Sequence, residues 1–193
     1  MGKAVIITGR PGVGKTTVFL QAVDSLRVLG LNIGGFVSRE VRVTGNRVGF
    51  EIMDLTTSRK GWLAHVDQHI GPKVGKYRVN TDDLVEVGVG SIQRSLREDP
   101  VGVVAVDEIG PMELTCSEFV QVINNAAKST KTLLATVHYR ERSNILHKFG
   151  LTSAEAFEVT LENRETINYK ILDAVIGRKG MSSSGSIGSA GKI

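Results

Sequence analysis

An apolar run that ends in a glycine-rich turn and restarts as a helix constrains this chain most. Ala4-Val5-Ile6-Ile7-Thr8 has the continuous apolar character of a buried parallel strand. It feeds Gly9-Arg10-Pro11-Gly12-Val13-Gly14-Lys15-Thr16, which satisfies the phosphate-loop pattern G-x-x-x-x-G-K-[ST] in full. The glycines let successive backbone N–H groups turn inward around phosphate oxygens. Lys15 supplies a cation for the β- and γ-phosphates, and the Thr16 hydroxyl suits Mg²⁺. From Thr17 an amphipathic run begins, with Val18, Ala22, Leu26 and Leu29 at helical spacing and Gly30 suited to its end. Gly9 to Thr17 are therefore the candidate phosphate contacts.

Beyond this unit, strands and helices alternate. Ile33–Ser38 reads as a second strand, and Glu40–Val43 and Arg47–Ile52 alternate around Thr44-Gly45-Asn46 as a hairpin. Leu55–Val79 is weakly patterned, with short strands expected at Trp62–Val66 and Tyr77–Val79. Asn80 is placed as the N-cap of a helix running to Arg97 or Glu98, interrupted in character by Gly88 and Gly90. Val101–Val106 and Thr132–Val137 are buried strands, and Thr115-x-x-Glu118 matches a capping box. A short helix is expected over Arg142–Phe149, a last strand over Ala156–Thr160 and a last helix over Asn163–Ile176. The pattern predicts an α/β fold, a mostly parallel sheet covered by helices, with an antiparallel hairpin extension on one edge. One domain is expected over residues 1–177, and the Ser/Gly-rich tail, 178–193, is expected to be disordered.

In such sheets ligands gather at the carboxyl ends of the strands. There the strand Val101–Val106 runs into Asp107-Glu108. A carboxylate held rigidly on a buried strand can bind Mg²⁺ beside Thr16, and its neighbour Glu108 can orient and deprotonate a water for attack on a γ-phosphate. Two acids at a strand end also suit a solvated turn, but next to a complete phosphate loop the catalytic reading is preferred. Glu108 and Lys15 are thus the candidate catalytic residues, and Thr16 and Asp107 the candidate metal ligands. Asp107-x-x-Gly110 fits the short D-x-x-G of GTPases, yet no N-K-x-D or T-K-x-D reads guanine. Thr136, at a strand end, suits either the γ-phosphate or a backbone bond, and His138 reads as an exposed loop residue. Arg39, Arg42, Arg47, Arg140, Arg142 and Arg164 are all available as a further cation. Of these, Arg42 and Arg47 flank the hairpin turn and are expected to face away from the site. Trp62 and Cys116 read as packing residues.

Charge and cysteine content narrow the setting. The formal net charge is +4, but Arg178, Lys179 and Lys192 lie in the acid-free tail, so the body is near neutral. Broad attraction to nucleic acid or membrane is not expected. A single cysteine, Cys116, excludes an internal disulfide and fits a cytoplasmic location. No segment is long and apolar enough to span a membrane, and with a strand starting near the first residue no signal peptide is expected.

Several stretches resemble the small P-loop nucleoside-triphosphatase family of archaea, bacteria and animals. They are Ile7–Thr17, G-F-V-S-R-E-V-R at Gly35–Arg42, G-N-R-V-G-F-E-I at Gly45–Ile52, V-G-K-Y-R-V-N at Val74–Asn80 and V-D-E-I-G-P-M-E-L at Val106–Leu114. The resemblance implies a P-loop three-layer sandwich of the RecA-like branch. It implies slow Mg²⁺-dependent hydrolysis of several nucleoside triphosphates (ATP, GTP, CTP and UTP) to diphosphate and phosphate. It also implies that a second nucleotide-proximal segment runs through Val103, Val104, Ala105, Val106, Asp107, Glu108, Ile109 and Gly110. A monomer is expected. Two other readings stay open. A nucleoside or nucleotide kinase would use Leu55–Val79 and Arg140–Arg142 around an acceptor. An RNA-associated ATPase or nucleotide switch would rest on the basic residues of the hairpin and tail.

Overall fold

The computed structural model describes residues 2–177, and the expected disordered tail over 178–193 lies outside them. Nine strands form one sheet in the order β5-β6-β4-β3-β2-β7-β8-β1-β9. Its parallel half consists of β2 (Asn32–Val43), β7 (Val101–Ile109), β8 (Thr132–Val137), β1 (Ala4–Gly9) and β9 (Glu155–Val159). The pleat of β1 sends alternate side chains to opposite faces. Val5 and Ile7 pack against Phe19, Val23 and Leu26 of α1 (Lys15–Val28) and Ile171 of α6 (Ile167–Ile176). Ile6 faces the other layer, which holds Ile92 of α3 (Gly90–Arg97) and Phe119 and Ile123 of α4 (Ser117–Lys128). Phe119 meets Phe36 of β2 edge to face, with ring centroids 6.1 Å apart. Helices on both faces of one sheet make the expected three-layer sandwich.

The antiparallel edge is larger than a hairpin. Residues expected as a separate strand and hairpin arm form one twelve-residue β2, buried over Ile33–Val37 and exposed toward Val43. The change in texture after Ser38 is a change in burial, not a break in the backbone. β3 (Asn46–Asp54) returns along it, and β4 (Lys60–His65), β6 (Tyr77–Val79) and β5 (Lys73–Val74) continue the edge. The last two are only two or three residues long, too short for a period to register.

Asn80 caps as expected, its side-chain oxygen accepting from the Asp83 N–H at 3.1 Å. The helix it opens is composite: α2 (Thr81–Asp83), a π-helical stretch over Leu84–Val89 containing Gly88, then α3. The capping box at Thr115-x-x-Glu118 is not formed. Thr115 closes a short 3₁₀ turn, Glu113–Thr115, and its hydroxyl donates to the Met112 carbonyl at 2.7 Å. α4 starts later, behind Cys116. Between it and β9 lies α5 (Arg142–Lys148). The final helix also starts late, at Ile167, because Asn163 is used in the preceding turn, where its Oδ1 accepts from the Thr160 N–H at 2.9 Å. Among the described residues no helix is long and apolar enough to cross a membrane.

Candidate active site

The turn from β1 into α1 has the backbone features of an anion cradle. Gly14, the residue before α1, sits at φ 105, a left-handed conformation that disfavours a side chain. A β-carbon on Gly9 would stand 2.6 Å from the Val159 carbonyl oxygen of the neighbouring β9. Val13 is buried and anchors the loop in the core, whereas Arg10, Pro11, Gly12 and Thr17 are exposed. No side chain caps the start of α1, and no acid sits in its first turn. Its leading N–H groups and the positive end of its dipole are therefore available to a ligand.

Two strands away, β7 delivers its carboxylates to the same end of the sheet. Val103 and Ala105 pack into one core and Val104 and Val106 into the other. Neither these four nor Ile109 line the cavity described below; they hold the backbone from beneath. Asp107 is 1% exposed. The Thr136 hydroxyl of β8 donates to its Oδ1, while Oδ2 has no hydrogen-bond partner among the described residues. Thr136 thus bonds to a carboxylate rather than to the backbone. Burial pushes the Asp107 carboxyl up to about 6, and the Glu108 charge adds to this; the Thr136 and Thr16 hydroxyls and Lys15 oppose it. The Asp107–Glu108 peptide is cis. Glu108 extends toward the loop, its Oε2 3.9 Å from Lys15 Nζ, with one quarter of its side chain exposed. Its carboxyl is raised by burial and lowered by Lys15.

Sequence reasoning missed a third acid. Glu113 lies within the D-E-I-G-P-M-E-L run, where no local signal marks it. It is 4% exposed. Its Oε2 and Glu108 Oε1 lie 3.2 and 2.9 Å from where a Gly110 β-carbon would stand, so the two carboxyls flank that glycine. Burial, reinforced by Glu108, pushes Glu113 up to about 8. Such a group holds its proton in the folded protein and loses it in the unfolded chain between its ordinary pKa and about 8. Stability of the metal- and nucleotide-free protein accordingly falls as pH rises through that window. Glu113→Gln is expected to match wild type near pH 5 and to exceed it near pH 9 by on the order of a few kcal/mol in urea unfolding. An equal difference at both pH values would refute the buried neutral acid.

These groups open onto a cavity of about 420 Å³. Pro11, Lys15 and Thr16 line its loop side, and Asp107, Glu108 and Glu113 its strand-end side. The far wall is the antiparallel edge, with Ser38, Glu40, Arg47, Phe50 and Leu63. Arg47 therefore faces the site rather than away from it. It is held by Glu40 at 2.7 Å and by the Tyr77 hydroxyl at 2.8 Å, and it lies over the Phe50 ring at 5.3 Å. Hairpin twist explains the difference: alternation alone does not say which side of an edge extension meets the loop. Arg39, Arg42, Arg140, Arg142 and Arg164 do not line this cavity. His138 does, rather than standing free in solvent; its Nδ1 is buried without a partner among the described residues, and burial with Lys15 lowers its pKa. Cys116 is buried, as expected of a packing residue, whereas Trp62 is exposed, its ring edge-on to His65 rather than in the core. On the opposite flank of the loop, a second cavity of about 310 Å³ is lined by Arg10, Val13 and residues 158–162 at the end of β9.

The chain as a whole is similar to known proteins. A family model described as NTPase matches residues 4–172. Nucleoside-triphosphatase THEP1 of Thermofilum pendens is 44% identical over 167 residues, spanning 86% of this chain and 91% of the relative. The protein of that name from Methanocaldococcus jannaschii is 41% identical over 173 residues, spanning 89% and 96%. The crystal structure of THEP1 from Aquifex aeolicus superposes with a TM-score of 0.78 at 32% identity, covering 89% of this chain and 98% of that one. The solution structure of a human cancer-related nucleoside triphosphatase gives 0.74 at 28% identity, covering 93% and 100%.

Proposed function

The chain belongs to this nucleoside-triphosphatase family and is a nucleoside-triphosphatase, and we propose that it hydrolyses ATP, GTP, CTP and UTP with Mg²⁺ to the diphosphate and phosphate. One observation carries the assignment of roles: Glu108 faces Lys15 across the mouth of the phosphate loop at 3.9 Å, at the wall of an open cavity. Gly9–Thr17 bind the phosphates, mainly through backbone N–H groups. Lys15 neutralises the β- and γ-phosphates. Glu108 orients a water opposite the leaving oxygen and takes its proton. Positioning and electrostatics supply most of the rate in such transfers.

The residues fit a magnesium ion. Asp107 Oδ2 is a buried carboxylate oxygen without a hydrogen-bond partner, and the Thr16 hydroxyl lies beside that carboxylate. Two hard oxygen ligands are what Mg²⁺ takes from a protein when phosphates and waters supply the rest. Thr16 and Asp107 would hold the ion, and Mg²⁺ bound there would spread the charge of the β- and γ-oxygens. Thr136 fixes Asp107 for this task. Val103–Val106 and Ile109 act from the core by holding the acid pair in place, and Gly110 leaves room for Glu108 and Glu113.

No base-reading motif accompanies the loop, which supports a broad base range. A monomer in a cytoplasmic setting completes the reading, the setting supported by the buried lone Cys116. Phosphate release from the four triphosphates, with Mg²⁺ and with a chelator, tests the reading. Turnover of all four, abolished by the chelator, is the expected result. Release from a single triphosphate would overturn the base range, and chelator-insensitive release would overturn the metal.

A further inference from the structure

Hydrolysis gives a task only to the loop side of the principal cavity, where Lys15, Thr16 and Asp107 are assigned to the triphosphate and the metal. The cavity, about 420 Å³, runs on from there to the antiparallel edge, whose wall the hydrolase reading does not use. Its position relative to the loop matters more than its size. In-line phosphoryl transfer puts the attacking oxygen and the leaving oxygen on opposite sides of the γ-phosphorus. The strand order β7-β8-β1-β9 sets Glu108 on one flank of the loop and the β9 cavity, about 310 Å³, on the other. With Glu108 on the attacking side, the β9 flank is left for the nucleoside of the triphosphate. The cavity against β2 and β3 then lies where a second substrate would attack.

Resting on the hydrolase reading above, we infer that this cavity is an acceptor subsite. It takes an uncharged, ring-bearing alcohol of the nucleoside class, to which the γ-phosphoryl group is transferred. The lining selects that chemistry. Phe50, Leu63 and Val74 present apolar surface suited to a flat ring, and Ser38 adds a hydroxyl. The one arginine in the lining is already engaged by Glu40 and Tyr77. Lys15 belongs to the triphosphate. An anionic acceptor would therefore meet Glu40 and Glu108 with no free cation among the described residues of the lining to offset them. The step balances without any further reactant. The acceptor hydroxyl oxygen bonds to the γ-phosphorus, and the bond from that phosphorus to the β–γ bridging oxygen breaks. Its electron pair leaves on the nucleoside diphosphate, and the hydroxyl proton passes to Glu108. Water in the same place gives free phosphate.

The test uses γ-labelled ATP, Mg²⁺ and the whole chain, with each common ribo- and deoxyribonucleoside at about 1 mM, the upper end of ordinary KM values. Nucleoside monophosphates are run in parallel. At least one nucleoside is expected to become labelled, about tenfold faster than free phosphate appears. Val74→Trp, on a half-exposed edge strand, narrows the cavity and is expected to lower the ratio of labelled nucleoside to free phosphate by about tenfold or more. Phosphate release with no labelled nucleoside overturns the subsite and leaves the hydrolase reading intact. Labelling of monophosphates in preference to nucleosides overturns the uncharged class. Absence of both products counts against the hydrolase reading itself.

Discussion

Glu108→Gln is expected to lower kcat for nucleoside-triphosphate hydrolysis by about 10²- to 10⁴-fold while leaving KM within about threefold of wild type. Glutamine keeps the shape of the side chain and can still orient a water, but it cannot accept its proton. The loss belongs to the transition state, so it falls on kcat. At about 1.4 kcal/mol per factor of ten, the change corresponds to about 3–6 kcal/mol of lost stabilisation. Glu108 suits the role because it is only partly buried, so a water can reach it, and because Lys15 at 3.9 Å favours its charged form. Its neighbour Asp107 is almost wholly buried, with one oxygen bonded to Thr136 and the other assigned to the metal, which leaves Glu108 as the carboxylate for the nucleophile. Single-turnover phosphate release with both proteins decides the matter; equal rates would remove Glu108 from the chemistry.

Lys15→Ala is expected to cost about 10²- to 10³-fold in kcat and to raise KM as well. The signature differs from that of Glu108→Gln because the ammonium acts on the ground state and on the transition state. The triphosphate loses a cation when it binds, and the γ-oxygens lose one as charge shifts during transfer. The side chain is one-eighth exposed, so its field is less screened than that of a surface lysine. Its removal also leaves Glu108 without its counter-ion, next to Asp107 and Glu113. Nucleotide affinity measured by titration and kcat measured by phosphate release separate the two effects. Unchanged affinity together with unchanged kcat would place Lys15 outside the site.

The residues nearest the phosphate chemistry were legible because they are local. Gly9–Thr16 lie in one turn, and the loop's conformation follows from its glycines and the strand and helix on either side. Asp107-Glu108 was legible as an acid pair ending an apolar strand. The parallel half of the sheet was readable for the same reason: a strand buried on both faces shows as an unbroken apolar run in β1, β7 and β8. The antiparallel edge was only partly visible. Its strands are short or half exposed, and their pairing depends on register between segments far apart in the chain. The capping box at Thr115 failed because the backbone there turned first into a 3₁₀ segment that packs Glu113 against Gly110.

The one-dimensional pattern thus carried the candidate phosphate loop, the acid pair and the class of fold, since each depends on neighbours in sequence or on simple periodicity. Folding in three dimensions settled the rest. Strand order put Glu108 within reach of Lys15, although 93 positions separate them. It buried Asp107 against Thr136 and drew Glu113 and His138 to the same wall. It also turned Arg47 inward, held by Glu40 and Tyr77. Burial, electrostatic fields and cavity shape arise from groups that meet only once the sheet has assembled, and no local run of residues encodes those meetings.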